Sequence, residues 1–367
     1  MQVYLVGGAV RDELLNRPVI DKDYVVVGAT IEQMLSLGYT QVGKDFPVFL
    51  HPTSKAEYAL ARTERKQGQG YGGFICDFSP DISLEQDLYR RDLTINAIAK
   101  NEQGELIDPF NGQQDIKNRL LRHVSPAFSE DPLRILRVAR FAARYHYLGF
   151  TIAPETLKLM SEMVQKGELF TLTKERIWME VEKSLADGCI ATFSDVLKSI
   201  GALERVFPMF KKWHGSLSTS LNDKVSQLSK DNYNFKLIQF CLWLAPCQLE
   251  DLHNIEQTLK VPNKYALCAR DFCQYRALFD AQPLSATVIL KLFNALDIWR
   301  RPERFEIFCD AIQADKPNDL EAVNTLKKAA QNAIAVDVQS IIAQGYKGAQ
   351  IKEQLGQARQ QAIQAQL

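Results

Sequence analysis

Residues 18–28 read PVIDKDYVVVG, with Asp21 and Asp23 on either side of Lys22 where an apolar run begins. The run Tyr24-Val25-Val26-Val27 is β-branched and aromatic, which reads as a strand. Alternation along a strand puts residues i and i+2 on one face, so the two carboxylates are expected side by side. Like charges held that close repel unless something positive lies between them. An isolated D-x-D is common and by itself reads as a solvated strand edge. Its meaning depends on what surrounds it.

Immediately upstream, YLVGGAVRD (4–12) is a strand, a Gly-Gly turn and a helix. Gly7 and Gly8 let the backbone approach a ligand closely, and free N–H groups at a helix start favour an anion. Arg11, one turn in, adds a forked donor suited to phosphate oxygens. Hard carboxylate oxygens beside a phosphate cradle suit Mg²⁺, which usually binds one or two carboxylates plus substrate phosphates. Further along, LYRRDLTINAIAKN (88–101) is expected to open a helix near Asp92. Its functional reading gives Arg91 to a triphosphate and leaves Asp92 and Asn96 to shape a sugar pocket. In SEDPLRILRVARFAARY (129–145), Asp131 reads as an N-cap and Pro132 as the first helical residue. At 100° per residue, Arg134, Arg137, Arg140 and Arg144 fall within about 120° of one another. Residues 118–150 hold six arginines and two acids, Glu130 and Asp131. Four arginines on one face without an acidic partner favour phosphate or base contact.

The rest of the chain bounds the reading. Its 367 residues suggest two to four domains, and 46% hydrophobic with 24% charged residues is ordinary globular composition. With 44 basic and 44 acidic residues, only local clustering can argue for nucleic acid. The N-terminal apolar run is too short for a signal peptide, and no stretch approaches a membrane span. Seven cysteines form no C-x-x-C pair, so they read as reduced core residues of a cytoplasmic protein. From 1 to about 115 strands and helices alternate. Strands are expected at Gln2–Val6, Tyr24–Val27, Phe46–His51 and Glu57–Ala61, and helices at Ala9–Leu15 and Ile31–Ser36. KQGQGYGGF (66–74) is too glycine-rich for a rigid element. After about 116 helical spacing dominates, with a polar gap at 214–234 expected as a loop or seam and a polar, loosely held terminal helix. An α/β head on an all-α remainder follows.

With GGAVRD, D-x-D, RRDLTINA and EDPLRILRVARF in this order, the chain resembles the bacterial class II tRNA nucleotidyltransferases, the CCA-adding enzymes. The resemblance is strong over residues 1–210 and resumes more weakly at 292–305 and 345–355. It implies a nucleotidyltransferase-type head with a polymerase-β-like mixed sheet (1–116), then a helical neck (117–210), body (211–290) and tail (291–367). It further implies Asp21 and Asp23 as Mg²⁺-holding catalytic residues, and Gly8, Arg11 and Arg91 as binders of the nucleotide triphosphate. Asp131, Arg134, Arg137 and Arg140 would form the nucleotide-selecting helix, and Glu57 stands where a third acid is often found. The implied partners are tRNA, through its acceptor stem and 3′ end, and the substrates CTP and ATP. Lys174, Arg176, Arg300, Arg301 and Lys347 are candidate tRNA contacts, each equally explicable as solvated surface.

Departures from the family pattern narrow the expectation. Many relatives carry a phosphohydrolase module marked by paired His-Asp. This chain has no His-Asp dipeptide, and beyond residue 146 only His214 and His253 remain, so no phosphohydrolase activity is expected. A bacterial poly(A) polymerase is a rival built on the same head, but such enzymes tend to carry two adjacent basic residues where this chain has Lys44-Asp45. An A-only or CC-only tRNA enzyme is a closer rival. The long segment 63–88, read as flexible, suggests that the loop needed to reach the A-adding state is present, which disfavours CC-only. A non-catalytic RNA-binding module is disfavoured by the intact aspartate pair. Oligomeric state is not legible.

Overall fold

The computed structural model describes residues 1–42, 47–66, 74–252, 255, 259–280 and 283–367, with 64–66 and 74–75 described in backbone only. Lys44, Asp45, His253 and most of the glycine-rich stretch lie outside the described residues. The chain forms two compact units, Met1–Glu180 with Thr192–Val206, and Val181–Ala191 with Phe207–Leu367.

The first unit begins with β1 (Gln2–Val6), α1 (Gly8–Leu14), β2 (Asp23–Val27), α2 (Ile31–Ser36), β3 (Thr40–Val42), β4 (Val48–Leu50) and β5 (Glu57–Leu60). A hairpin of β6 (Thr63–Lys66) and β7 (Phe74–Asp77) leads to α3 (Leu84–Tyr89), followed by β8 (Ala99–Lys100), β9 (Leu106–Ile107) and α4 (Gly112–Asn118). Seven strands make one mixed sheet in the order β3-β4-β5-β2-β1-β8-β9. β2 runs parallel to β5 and antiparallel to β1. The helix starts are chemically marked: Thr30 with Gln33 and Ser83 with Gln86 each form a reciprocal capping box.

Alternation divides the sheet into two buried faces. Val6, Val25, Ala61 and Ala99 pack on one side with Leu84 and Leu88 of α3, while Val26, Phe49 and Leu60 pack on the other with Met34 of α2. Asp23 therefore shares the face of Val25, toward α3, and Tyr24 stacks on Tyr58 at 4.5 Å on the opposite face.

Several expectations are corrected. Only Asp23 lies in the strand, because Asp21 precedes it. No α-helix opens at Asp92; α3 stops at Tyr89 and a single 3₁₀ turn spans Thr94–Asn96. Segment 63–88 contains the β6–β7 ladder and α3, so its described part is ordered. The polar gap at 214–234 holds a helix, Gly215–Ser226, whose Ser218, Leu221 and Val225 form a narrow buried stripe that the surrounding serines hide in the sequence.

Beyond the head, α5 (Leu133–Arg144), α6 (Pro154–Gln165) and α7 (Lys174–Asp187) follow. The second unit is helical. In it Trp243 is surrounded by Phe207, Phe210 and Phe240. Buried Asp315 accepts from Lys224 at 2.8 Å and Arg276 at 3.0 Å. The terminal helix Ala349–Gln364 packs against Leu320–Ile334 and buries Ile363, so it is docked rather than loose. All seven cysteines are free thiols. Among the described residues no helix is long and apolar enough to cross a membrane.

Gly112 shows how closely α4 approaches the Thr94–Asn96 turn. A Cβ there would lie 2.2 Å from the Thr94 carbonyl oxygen, whereas one on Gly356, inside a helix, meets nothing within 4 Å. Gly112→Ala is expected to cost about 3 kcal/mol by overpacking, and Gly356→Ala to stabilise by up to about 1 kcal/mol through helix propensity. Urea unfolding of both variants checks this; equal midpoints would contradict the close approach.

Candidate active site

The register of three strands assembles the first part of the site. Val6 pairs with Asp23 and Asp23 with Glu57. The turn after β1, the aspartates before and at the start of β2, and Glu57 at the start of β5 thus lie at one end of the sheet. Gly7 has φ +69°, a left-handed conformation suited to glycine, and a Cβ there would sit 3.0 Å from Arg91 Nη1. Arg91 is thereby held over the Gly7 turn.

Arg91 also bears electrostatically on Asp23. Burial raises the Asp23 carboxyl above its ordinary value, Arg91 opposes that, and the neighbouring Asp21 raises it further. The net shift is upward, with burial as its largest cause. Arg91 donates from Nη2 to Asp87 at 3.1 Å, while its buried Nε finds no partner among the described residues. Two hard carboxylates beside a guanidinium fit a divalent ion whose remaining ligands come from a polyphosphate. Among the described residues no cluster of three or more His, Cys, Asp or Glu could hold a metal without such help.

Arg11 is deployed differently from its sequence reading. It is buried, donates to Asn96 Oδ1 at 2.6 Å and to both Asp12 oxygens at 3.0 Å, and lies over the Phe141 and Tyr145 rings. Its fork is directed into the protein, where it braces α1 against α5. Gly8 lies directly beneath it, with a hypothetical Cβ 3.4 Å from Arg11 Nη2.

The network continues from Arg11. Asn96 donates to Asp92 Oδ1 at 3.0 Å, and Arg137 donates to Asp92 Oδ2 at 2.7 Å. Burial opposes the Asp92 charge, but Arg137 and the Asn96 amide outweigh it and hold the carboxyl well below the ordinary range. Arg140 is buried against Glu180 of α7 at 2.6 Å. Arg134 donates to the carbonyls of Ala127 and Arg90. The expectation of an arginine face lacking acidic partners is therefore corrected: Arg137 and Arg140 each carry a carboxylate.

The helix starts one residue later than expected, with Pro132 as its N-cap, and Asp131 just before it accepts from the Leu133 N–H at 3.1 Å. It is also gripped in bidentate fashion by Arg176, at 3.1 and 2.7 Å. The structure thus pairs Arg176, read from the sequence as a candidate tRNA contact or solvated surface, with Asp131. Glu180 and Asp87 were missed by sequence reasoning. A usable signal existed for Glu180: it stands four residues after Arg176 on α7 and so shares its face.

Family models fit this arrangement. The poly A polymerase head domain matches residues 3–122, and a model described as "Probable RNA and SrmB-binding site of polymerase A" matches 149–213. The chain is 46% identical over 405 aligned positions to the multifunctional CCA protein of Mannheimia succiniciproducens, covering 99% of this chain and 97% of that one. The chain belongs to the CCA-adding nucleotidyltransferase family. Among solved structures, a CCA-adding enzyme in complex with CTP matches with TM-score 0.74 at 22% identity, over 99% of this chain and 87% of that one. The Thermotoga maritima CCA-adding enzyme complexed with tRNA matches with TM-score 0.66 at 21% identity, over 99% and 87%. At those identities the likeness concerns the fold, a mixed-sheet head followed by helices, and this family member has both.

The Asp92–Arg137 pair yields a pH test. Asp92 is a depressed carboxylate, so its stabilisation is present above the ordinary value of 3.8 and is lost as pH falls through the lower folded value. Asp92→Asn, which removes the carboxylate partner of the half-buried Arg137, is expected to cost about 1–3 kcal/mol at pH 7. That gap should narrow on acidification below about pH 4. Denaturant unfolding of both proteins across pH 2–7 measures it, and a constant gap would contradict the assignment.

Proposed function

We propose that this protein adds CCA to the 3′ end of tRNA without a nucleic-acid template, using CTP and ATP. The observation that carries this is the strand register that brings Asp21, Asp23, the Gly7–Gly8 turn and Arg91 to one end of the sheet. The 46% identity to a CCA protein over nearly the whole chain supports the choice of substrate. So do the complexes of structural relatives with CTP and with tRNA.

In this reading Asp21 and Asp23 hold Mg²⁺, which when bound polarises the α-phosphate and helps deprotonate the tRNA 3′-hydroxyl. The 3′-oxygen bonds to the α-phosphorus in line as the bond to the departing pyrophosphate breaks, and the hydroxyl proton goes to solvent. Arg91, held by Asp87, contacts the triphosphate. Gly8 lets the backbone come close to it. Arg11 acts from behind, fixing the turn through Asn96 and Asp12, so its part in triphosphate binding is indirect. Arg137 and Arg140 set the face of α5 that receives the nucleotide, each anchored by its carboxylate.

Base choice follows from donor and acceptor edges. C and A present an exocyclic amine beside a ring nitrogen acceptor, whereas G and U present a carbonyl beside a ring N–H. Asp131 accepts from the amine and Arg134 donates to the ring nitrogen. A carboxylate offers about four lone-pair sites, so Asp131 can accept while remaining on Arg176. G or U would leave these groups mispaired, at about 1–3 kcal/mol for each unsatisfied group.

We infer further that the chain lacks phosphohydrolase activity. The alignment to the Mannheimia protein is longer than this 367-residue chain, so that relative carries residues with no counterpart here. A reducing cytoplasm suits the seven free thiols.

Incubation with tRNA transcripts ending before CCA, at C and at CC, with labelled CTP and ATP supplied separately, tests the reading. Complete addition is expected. Incorporation of A alone, of C alone, or of an A tail on unrelated RNA would select a partial enzyme or a poly(A) polymerase instead. Asp21→Asn or Asp23→Asn should reduce addition about 10³-fold, corresponding to roughly 4 kcal/mol, with tRNA binding retained. Asp131→Ala should erode the preference for CTP over UTP by about ten- to a hundred-fold. An unchanged preference would refute the role given to Asp131.

A further inference from the structure

Asp87 is invisible in the motif pattern, yet both of its carboxylate oxygens are engaged. It is fully buried. Its Oδ1 accepts from Arg90 Nη2 at 2.7 Å and from the Arg62 N–H at 3.3 Å, and its Oδ2 accepts from Arg91 Nη2 at 3.1 Å. Arg90 in turn donates from Nε to the Arg62 carbonyl at 3.0 Å, where the chain leaves β5 for the β6–β7 hairpin. The Arg90 carbonyl accepts from the Arg134 guanidinium. A single peptide, Arg90–Arg91, therefore separates the group assigned to read the base from the group assigned to the phosphates, and Asp87 holds the side chains on both sides of it.

We propose that Asp87 is a positioning residue that couples base recognition by Arg134 to alignment of the triphosphate by Arg91. The inference rests on the functional reading above and deepens it. The physical reason is the division of labour between the two oxygens. Oδ2 fixes Arg91, and Oδ1 fixes Arg90 and the strand exit, so a displacement on one side turns the carboxylate and is felt on the other. Burial would raise the Asp87 carboxyl, but the two guanidinia hold it below the ordinary range, so it stays charged and keeps both arms. A base that pulls Arg134 into place leaves the Arg90 carbonyl, and with it Arg91, in the aligned position. A base that pushes Arg134 away disturbs the peptide that carries Arg91. Discrimination would then appear in turnover as well as in binding.

A spatial path alone does not demonstrate coupling, so the test is a double-mutant cycle. Addition of C to a transcript lacking CCA is measured on the full chain with CTP and with UTP, for wild type, Asp87→Asn, Arg134→Lys and the double variant. Asp87→Glu serves as the conservative rescue. Wild-type incorporation of C is the control on the functional reading. Its absence would defeat that reading and with it the inference, whereas the variant pattern bears on the inference alone. Asp87→Asn is expected to lower kcat for CTP about 10²-fold with KM within about threefold. It should lower UTP turnover far less, so that discrimination narrows. Asp87→Glu should regain part of the loss, and the double variant should discriminate no worse than the poorer single variant. Equal losses for CTP and UTP with additive behaviour in the cycle would overturn the proposal and leave Asp87 a structural ion pair. Unchanged kcat would overturn it outright. Thermal unfolding accompanies each variant. If Asp87→Asn does not fold, Arg90→Gln decides, since it keeps the Asp87–Arg91 pair and removes the other arm. Narrowed discrimination then supports the coupling, and wild-type discrimination refutes it.

Discussion

The antiparallel pairing of β1 with β2 sets the geometry of everything downstream. With Val6 opposite Asp23, the chain leaves β1 at Gly7 just where it enters β2 past Asp21. A one-residue slip would turn Asp23 to the opposite face of the sheet, away from α3 and Arg91. The hydrophobic alternation of β2 prevents this slip, because Val25 and Val26 are committed to different buried faces. Core packing thus fixes the position of a charge. Burial and the neighbouring Asp21 raise the Asp23 carboxyl, while Arg91 opposes them.

Around that pair α5 is tied to the head and to α7 by ion pairs that are buried or half-buried. Arg11, Asn96, Asp92 and Arg137 form one chain of hydrogen bonds, Arg140 and Glu180 a second pair, and Asp131 and Arg176 a third. Buried ion pairs add little net stability over well-packed apolar residues, but removing one partner is costly. Their value here is orientation. Each polar side chain assigned to the nucleotide in α5 already has a partner in the protein, so a nucleotide meets groups whose rotamers are set before it arrives, the preorganisation that favours selective recognition.

Much of this was legible in the sequence where local chemistry decides the outcome. The β1 and α2 boundaries follow from alternation and capping, and the order of the four motifs identified the family. Three features were not legible, each for a physical reason. The two-residue strands β8 and β9 are too short to show a period. The helix at Gly215–Ser226 buries a serine within its apolar stripe, so composition masks its amphipathicity. The arginines of α5 have periodicity that reveals their shared face, but Asp92 and Glu180 meet them from 45 and 40 residues away, and such pairing is set by tertiary packing alone. Asp87 escaped for a similar reason, since it resembles one more acid in the first turns of a capped helix.

The central claim is that Asp21 and Asp23 bind a divalent ion together with a nucleoside triphosphate. Manganese paramagnetic resonance reads this directly, by titrating Mn²⁺ into the protein with and without CTP. Tight Mn²⁺ binding that requires CTP, and that is lost in Asp23→Asn while the variant's fold is intact, is the predicted result. Mn²⁺ bound equally well by wild type and Asp23→Asn in the presence of CTP would contradict the account.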